Sequence, residues 1–123
     1  MATHRYWRLN FTKTNGYCGM AEIELRDTPS GSDLTGSGTA TASYTEGGKD
    51  PANAVDDNTD TDWGTYNQSY PQWWQYDFGA GNAYDIIEIA IYPRSGYPNE
   101  APEDLTWQYS DNDSDWYTQR ERT

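Results

Sequence analysis

The stretch "DDNTDTDW", residues 56 to 63, gathers four Asp, one Asn and two Thr and stops at a Trp. Clustered like charge of this kind is either a solvated acidic loop or a cage of hard oxygens that closes round a cation. Calcium takes about six to eight oxygens at about 2.3–2.6 Å from carboxylates, amide carbonyls, hydroxyls and main-chain carbonyls, and a tight loop supplies several of these together. Asp56, Asn58 and Thr61 carry suitable groups. An EF-hand loop is the rival template, because Asp56, Asn58 and Asp60 alternate as it requires. It fails at Thr61, where the template needs Gly, and at Asn67, where it needs a bidentate Glu. A second acidic stretch, "DNDSDW" at 111–116, fails at its Gly position with Trp116.

Other chemistry finds little support. His4 is the only histidine, so neither a His-based triad nor a multi-His zinc site can be built within the chain. No Gly-x-Ser-x-Gly elbow and no phosphate-cradling glycine loop occurs. Carboxylates are abundant, but abundance does not supply the spacing a glycosidase pair needs. The expectation is a protein that is not an enzyme. A net charge of -12 repels phosphate backbones and anionic headgroups, which argues against nucleic-acid partners and electrostatic membrane docking. Neutral ligands and cations remain. The single Cys18 has no internal disulfide partner and reads as a small packed residue. The N-terminal "MATHRYWRLNF" lacks the apolar run of a signal peptide, and no other run is long enough to insert in a membrane.

The elements that would hold such a loop are strands. Val, Ile, Leu and Phe fill only 12 of 123 positions, but six Trp and eleven Tyr can build a core from aromatic area instead. Apolar residues recur at period two, and no segment keeps a helical stripe for three turns. The expectation is all-β and one domain, residues 1–123. Trp7, Leu9 and Phe11 share one face of "RYWRLNF". Ala21, Ile23 and Leu25 point inward in "AEIEL", and these two segments read as paired strands. "TATASY" is a weaker strand, and "PANAV" a single helical turn ahead of the acidic loop. In "QWWQYDFG", Trp74, Tyr76 and Phe78 face inward. "YDIIEIAIY" presents Ile87, Ile89 and Ile91; both of these strands are expected to be central. "DLTWQYS" offers Leu105, Trp107 and Tyr109 before the turn into "WYTQR". Trp63 reads as core beneath the acidic loop.

Taken in order, "NAVDDNTDTDW", "QWWQYDFG", "IAIYPR" and "LTWQYSDNDSDW" resemble the motifs of discoidin domains, the coagulation-factor C-type family, over nearly the whole chain. The resemblance implies an eight-stranded jelly-roll β-sandwich of the galactose-binding-like type, used mostly for binding. "RYWRLNF…GMAEIEL" resembles the strand pair that ordinarily ends such a domain, yet here it comes first, which implies a circular permutation with the chain's two ends close together. The arrangement is similar to modules of bacteriophage structural proteins. That implies a virion or extracellular surface setting, with other virion proteins or further copies of the chain as partners.

By similarity to calcium-binding members, the Asp56, Asn58 and Thr61 donors are joined by the Asn53 and Ala21 carbonyls and the Glu22 carboxylate, with Ca2+ as the cofactor. Arg94 in "IYPR" resembles the arginine with which fucose-binding relatives hold sugar, implying a cell-surface glycan as partner and Tyr66, Asn67, Tyr70 and Tyr97 as its neighbours. The match is partial: Asn67 or its neighbourhood falls where a histidine is used, Gly96 where an aspartate is, and Ala101 where a basic residue is. The plainer alternative pairs Arg94 with Glu100 or Glu103 across its own loop. The function these features imply is a non-catalytic carbohydrate-binding or adhesion module with a structural calcium, the alternative being a virion decoration or tail-associated protein without a glycan ligand.

Overall fold

The computed structural model describes residues 3–13, 18–65, 71–94, 96–97 and 104–122, with main chain alone at 12–13 and 120–122. Eight strands lie among these residues: β1 (Tyr6–Lys13), β2 (Cys18–Arg26), β3 (Thr39–Ala42), β4 (Trp63–Thr65), β5 (Gln72–Asp77), β6 (Glu88–Pro93), β7 (Asp104–Ser110) and β8 (Tyr117–Arg122). They form two antiparallel sheets, ordered β3-β5-β1-β7-β8 and β4-β2-β6. The chain is all-β, a sandwich of the jelly-roll kind.

Period-two alternation is what fills its centre. Trp7, Leu9 and Phe11 of β1 and Trp74 and Tyr76 of β5, with Phe78 just after it, meet Met20, Ile23 and Leu25 of β2 in one cluster, with Trp63 and Ile86 at 0 % exposure. Directly opposite residues share a face, so the register Leu9↔Trp74 and Leu9↔Trp107 stacks three inward side chains across the middle of the larger sheet. Buried rings of this size each remove roughly 150–250 Å² from water, which compensates for the scarcity of aliphatics. Two of their polar tips are satisfied, the indole of Trp63 donating to Tyr44 O (3.1 Å) and that of Trp74 to Pro51 O (3.0 Å), whereas Trp107 Nε1 is buried with no partner among the described residues.

Four expectations need correction. β1 and β2 are not paired with each other; they lie in different sheets, β1 between β5 and β7, β2 between β4 and β6, and their apolar faces meet across the core. β6 is an edge strand rather than a central one. Within "YDIIEIAIY" the strand begins only at Glu88; Ile86 is fully buried ahead of it, Ile87 is exposed, and Ile89 and Ile91 are half-buried. The two ends of the described chain are not neighbours. His4 sits by Asp111 at one end of β7, whereas Arg122 pairs with Leu105 near the other. Tyr6 is opposite Ser110, so the two ends are about 17 Å apart along the strand direction.

Candidate metal centre and ligand turn

The acidic loop is anchored on both sides. Before it, Pro51–Val55 forms a 3-10 turn with Pro at its start, where the missing N–H is no loss, and Ala54 is driven into the core against β2. After it, β4 pairs with the first half of β2, Trp63 opposite Met20. Between these anchors short polar side chains fold the backbone on itself. Asp56 Oδ1 accepts from the Asn58 amide (3.0 Å), Asn58 Oδ1 from the Asp60 amide (2.9 Å), and the Thr61 hydroxyl contacts Asp56 Oδ2 at 2.5 Å and Asn58 O at 3.0 Å. Asp57 takes φ 58°, a left-handed conformation that Asp tolerates better than most side chains. The Asn53 side chain donates to Asp62 O (3.1 Å), and the Asp62 carboxylate takes the Lys49 ammonium at 3.0 Å.

The remote carboxylate arrives through an irregularity in β2. Met20 is opposite Pro93 and Glu22 opposite Tyr92, so Ala21 is an extra residue, a β-bulge, against β6. A bulge leaves its extra residue out of the ladder and redirects its neighbours. Glu22 is 4 % exposed, and neither carboxyl oxygen has a hydrogen-bond partner among the described residues. Its polar neighbours are the Asp56 carboxylate and the Asp57 amide and charge. Burial first, and Asp56 second, push its pKa up to about 7; the Asp57 amide pulls the other way. Uncompensated burial of a carboxylate is costly, and a second carboxylate beside it makes it costlier.

This fits a hard cation better than it fits a bare loop. Glu22 and Asp56 supply two carboxylates, Asn58 and Thr61 neutral oxygens close by, and the bulge frees Ala21 from the ladder. Asn53 lies in the turn that delivers the loop. The donor set is mixed: no group of three or more His, Cys, Asp or Glu gathers at metal-binding range among the described residues. Asp57 and the Lys49–Asp62 pair complete the loop's framework, and in the sequence only the run of carboxylates pointed to them.

The expected glycan residues are described in part. Arg94 follows β6 directly, and the Tyr97 amide donates to Arg94 O (2.9 Å), a four-residue turn with Gly96 at φ 82° where glycine is at ease. The guanidinium carbon lies 3.7 Å from the centroid of the Tyr97 ring, whose other surface is exposed. Pro93 and Thr65 flank β2 on either side near its start, so this turn and the end of β4 share one end of the smaller sheet. Tyr66, Asn67 and Tyr70 lie outside the described residues, as do Glu100, Ala101 and Glu103. No described helix is long and apolar enough to cross a membrane.

Comparison with known proteins completes the description. No curated protein matches the chain. Residues 38–123 match the F5/8 type C domain, a span that takes in β3 to β8 and the acidic loop and leaves out β1 and β2. Domains of this type are in general non-catalytic modules that bind carbohydrate or other ligands. With an all-β sandwich and a match over more than half its length, the chain belongs to the F5/8 type C, or discoidin, family.

Proposed function

We propose that this domain is a non-catalytic carbohydrate-binding module in which Glu22, Asp56, Asn58 and Thr61, with the carbonyls of Ala21 and Asn53, hold a structural Ca2+. The observation that carries the reading is Glu22: a buried carboxyl without a partner, beside another carboxylate, at the mouth of an oxygen-rich loop. Six irregular donors suit calcium and not the strict octahedron of magnesium. The ion supplies the positive charge that the two carboxylates lack. Calorimetry on protein freed of metal tests this, with Ca2+ giving a saturable isotherm and a raised melting temperature and Mg2+ giving neither. At a hundredfold over its Kd, the ion adds about 2.7 kcal/mol of stability. A melting temperature indifferent to calcium defeats the proposal.

The ligand end is the Arg94–Tyr97 turn. A guanidinium stacked on one ring face is held in a fixed plane and carries the N–H chemistry that sugar hydroxyls accept from, while the exposed ring offers a surface for a pyranose. A glycan array with the calcium-loaded chain, repeated with Arg94→Ala, reads this directly: binding in the parent that survives the substitution undiminished places the site elsewhere. If the folded, calcium-loaded chain binds no glycan, the role left to it is that of a structural piece of a virion or other surface assembly. β1 and β2 lie outside the family match yet each holds the interior of its own sheet, which favours a permuted order, while the separation of the two described ends speaks against it.

A further inference from the structure

The outer face of the five-stranded sheet carries a feature that the loop end does not explain. The alternation that buries Trp7 and Leu9 leaves Arg8 outside, and the same alternation on β5 turns Trp73 and Gln75 outward. Arg8 is opposite Gln75, and the turn between β7 and β8 folds back so that Trp116 reaches the same spot. The Arg8 guanidinium carbon lies 4.1 Å from the Trp73 ring centroid and 4.0 Å from that of Trp116, so both faces of the cation are covered by indole. Gln75, itself 6 % exposed, fixes one edge: its Oε1 accepts from Arg8 Nε (3.0 Å) and Nη2 (2.6 Å), and its Nε2 donates to Asp113 Oδ1 (3.0 Å). The plane of the guanidinium and its rotation within that plane are therefore both set.

What is left is the opposite edge. Nη1 donates to no described residue, and no described carboxylate stands within ion-pair distance of Arg8, although Arg5, Arg26 and Lys49 each have one. Burial lowers the Arg8 pKa and the more distant Asp113 restores part of it, as expected of a cation whose charge is incompletely neutralised. A chain of net charge -12 argues against anionic ligands in general, but this row of the sheet is different. Across the strands Arg8 is flanked by Gln75 and Thr41 on one side and Gln108 on the other, amides and a hydroxyl, and the carboxylate nearest this row, Asp113 of the β7–β8 turn, is bonded to Gln75 Nε2. Four strands at about 4.8 Å cover about 14 Å, room for a short oligosaccharide. Amides and hydroxyls beside indoles suit sugar hydroxyls and ring faces, and a guanidinium with a preset open edge suits a carboxylate.

We propose that this sheet face is a second binding surface, separate from the Arg94 turn, for an acidic oligosaccharide whose carboxylate bonds the open edge of Arg8 while its neighbouring ring lies against Gln108. Uronates and sialates share that chemistry, and two matched pairs of probes separate them: a glucuronate-containing tetrasaccharide against its methyl ester, and sialyllactose against lactose. Each is titrated into the full chain while the indole N–H signals of Trp73 and Trp116 are followed by NMR. The acidic member of at least one pair shifts those two signals, binds about tenfold or more tighter than its neutral partner, and weakens as salt is raised. Arg8→Lys, which keeps the charge and loses the fork, removes that preference at an unchanged melting temperature. Should Arg8→Lys loosen the fold, the acid-against-neutral comparison on the unsubstituted chain decides alone. Equal affinity within both pairs, shifts confined to other residues, or no binding at millimolar probe overturns the proposal and leaves the cluster as a clamp that fastens the β7–β8 turn to the sheet.

Discussion

Replacing Glu22 by glutamine is expected to act in opposite directions with and without metal. In metal-free protein the folded chain holds the Glu22 proton with a pKa of about 7, against 4.5 for the unfolded chain, because the group is buried beside Asp56. A folded-state pKa that is raised for an acid means the contribution is fully present below about 4.5 and is lost as pH rises through 7. At about 1.4 kcal/mol per pH unit the loss reaches about 3 kcal/mol by pH 8. That is a large part of the 5–15 kcal/mol typical of a domain. Glutamine has nearly the same shape and no charge to bury. Metal-free Glu22→Gln is therefore more stable than the parent at pH 8, by up to about 3 kcal/mol, and close to it at pH 5. With calcium the order reverses, since the substitution removes a carboxylate the ion requires, and the stabilisation of about 2.7 kcal/mol at a hundredfold excess disappears. Urea midpoints at pH 5 and pH 8, in chelator and in calcium, give all four numbers. A variant that is less stable than the parent in chelator at both pH values, or one that keeps the full calcium shift, refutes the reasoning.

Asp57→Asn keeps a residue type that accepts φ 58° and removes a charge that helps to raise the Glu22 pKa, so the metal-free variant titrates Glu22 lower and is slightly more stable at pH 8, by tenths of a kcal/mol, as read from the pH dependence of its urea midpoint. Trp63→Ala empties the core beneath the loop at a cost of about 3–5 kcal/mol; thermal melting shows it, and a loss within a few tenths of a kcal/mol would mean the ring is not the anchor its full burial indicates. Deleting the residues before Gly31 removes an interior strand from each sheet together with Glu22, so the remainder is aggregated or unfolded by circular dichroism; a cooperatively melting remainder would make β1 and β2 an appendage.

How far the sequence could be read follows from where period two is unambiguous. In "RYWRLNF" and "QWWQYDFG" large rings alternate with polar residues, so the inward set could be read directly, and Trp7, Leu9, Trp74, Tyr76 and Phe78 are all buried. In "DIIEIAI" adjacent isoleucines offer two registers that differ by one residue, and the slip exchanges Ile86 for Ile87. β4, three residues long, is too short to show any period. Partnership was harder still. Two strands close in sequence suggest a hairpin, but β1 and β2 each carry one apolar face, and facing each other across the core buries both at once, which pairing in one sheet would not do. The outward residues were legible in the same alternation. Arg8 and Trp73 both lie on the polar phase of their strands, but Trp116 reaches them only because the β7–β8 turn folds back, and nothing local to residues 111–116 encodes that.

The same distinction explains why the loop could be recognised and its completion could not be derived. Asp56, Asn58 and Thr61 bond to one another within six residues, so their spacing carries the information. Glu22 is 34 positions from Asp56, on a strand outside the family match, and nothing in "AEIEL" separates it from Glu24. What separates them is the acidic loop that lies over one and not the other: Glu22 is covered beside Asp56 and Asp57 without a partner among the described residues, while Glu24, two residues on along the same face, pairs with Arg26 at 2.6 Å. A cation between Glu22 and the loop would join β2 to the segment that follows the 3-10 turn, linking the part of the domain outside the match to the part inside it. Its stabilisation would then be lost by cutting that link from either side, and Asp56→Asn should abolish the calcium shift as completely as Glu22→Gln while relieving less of the metal-free strain, since Asp56 is exposed and Glu22 is not.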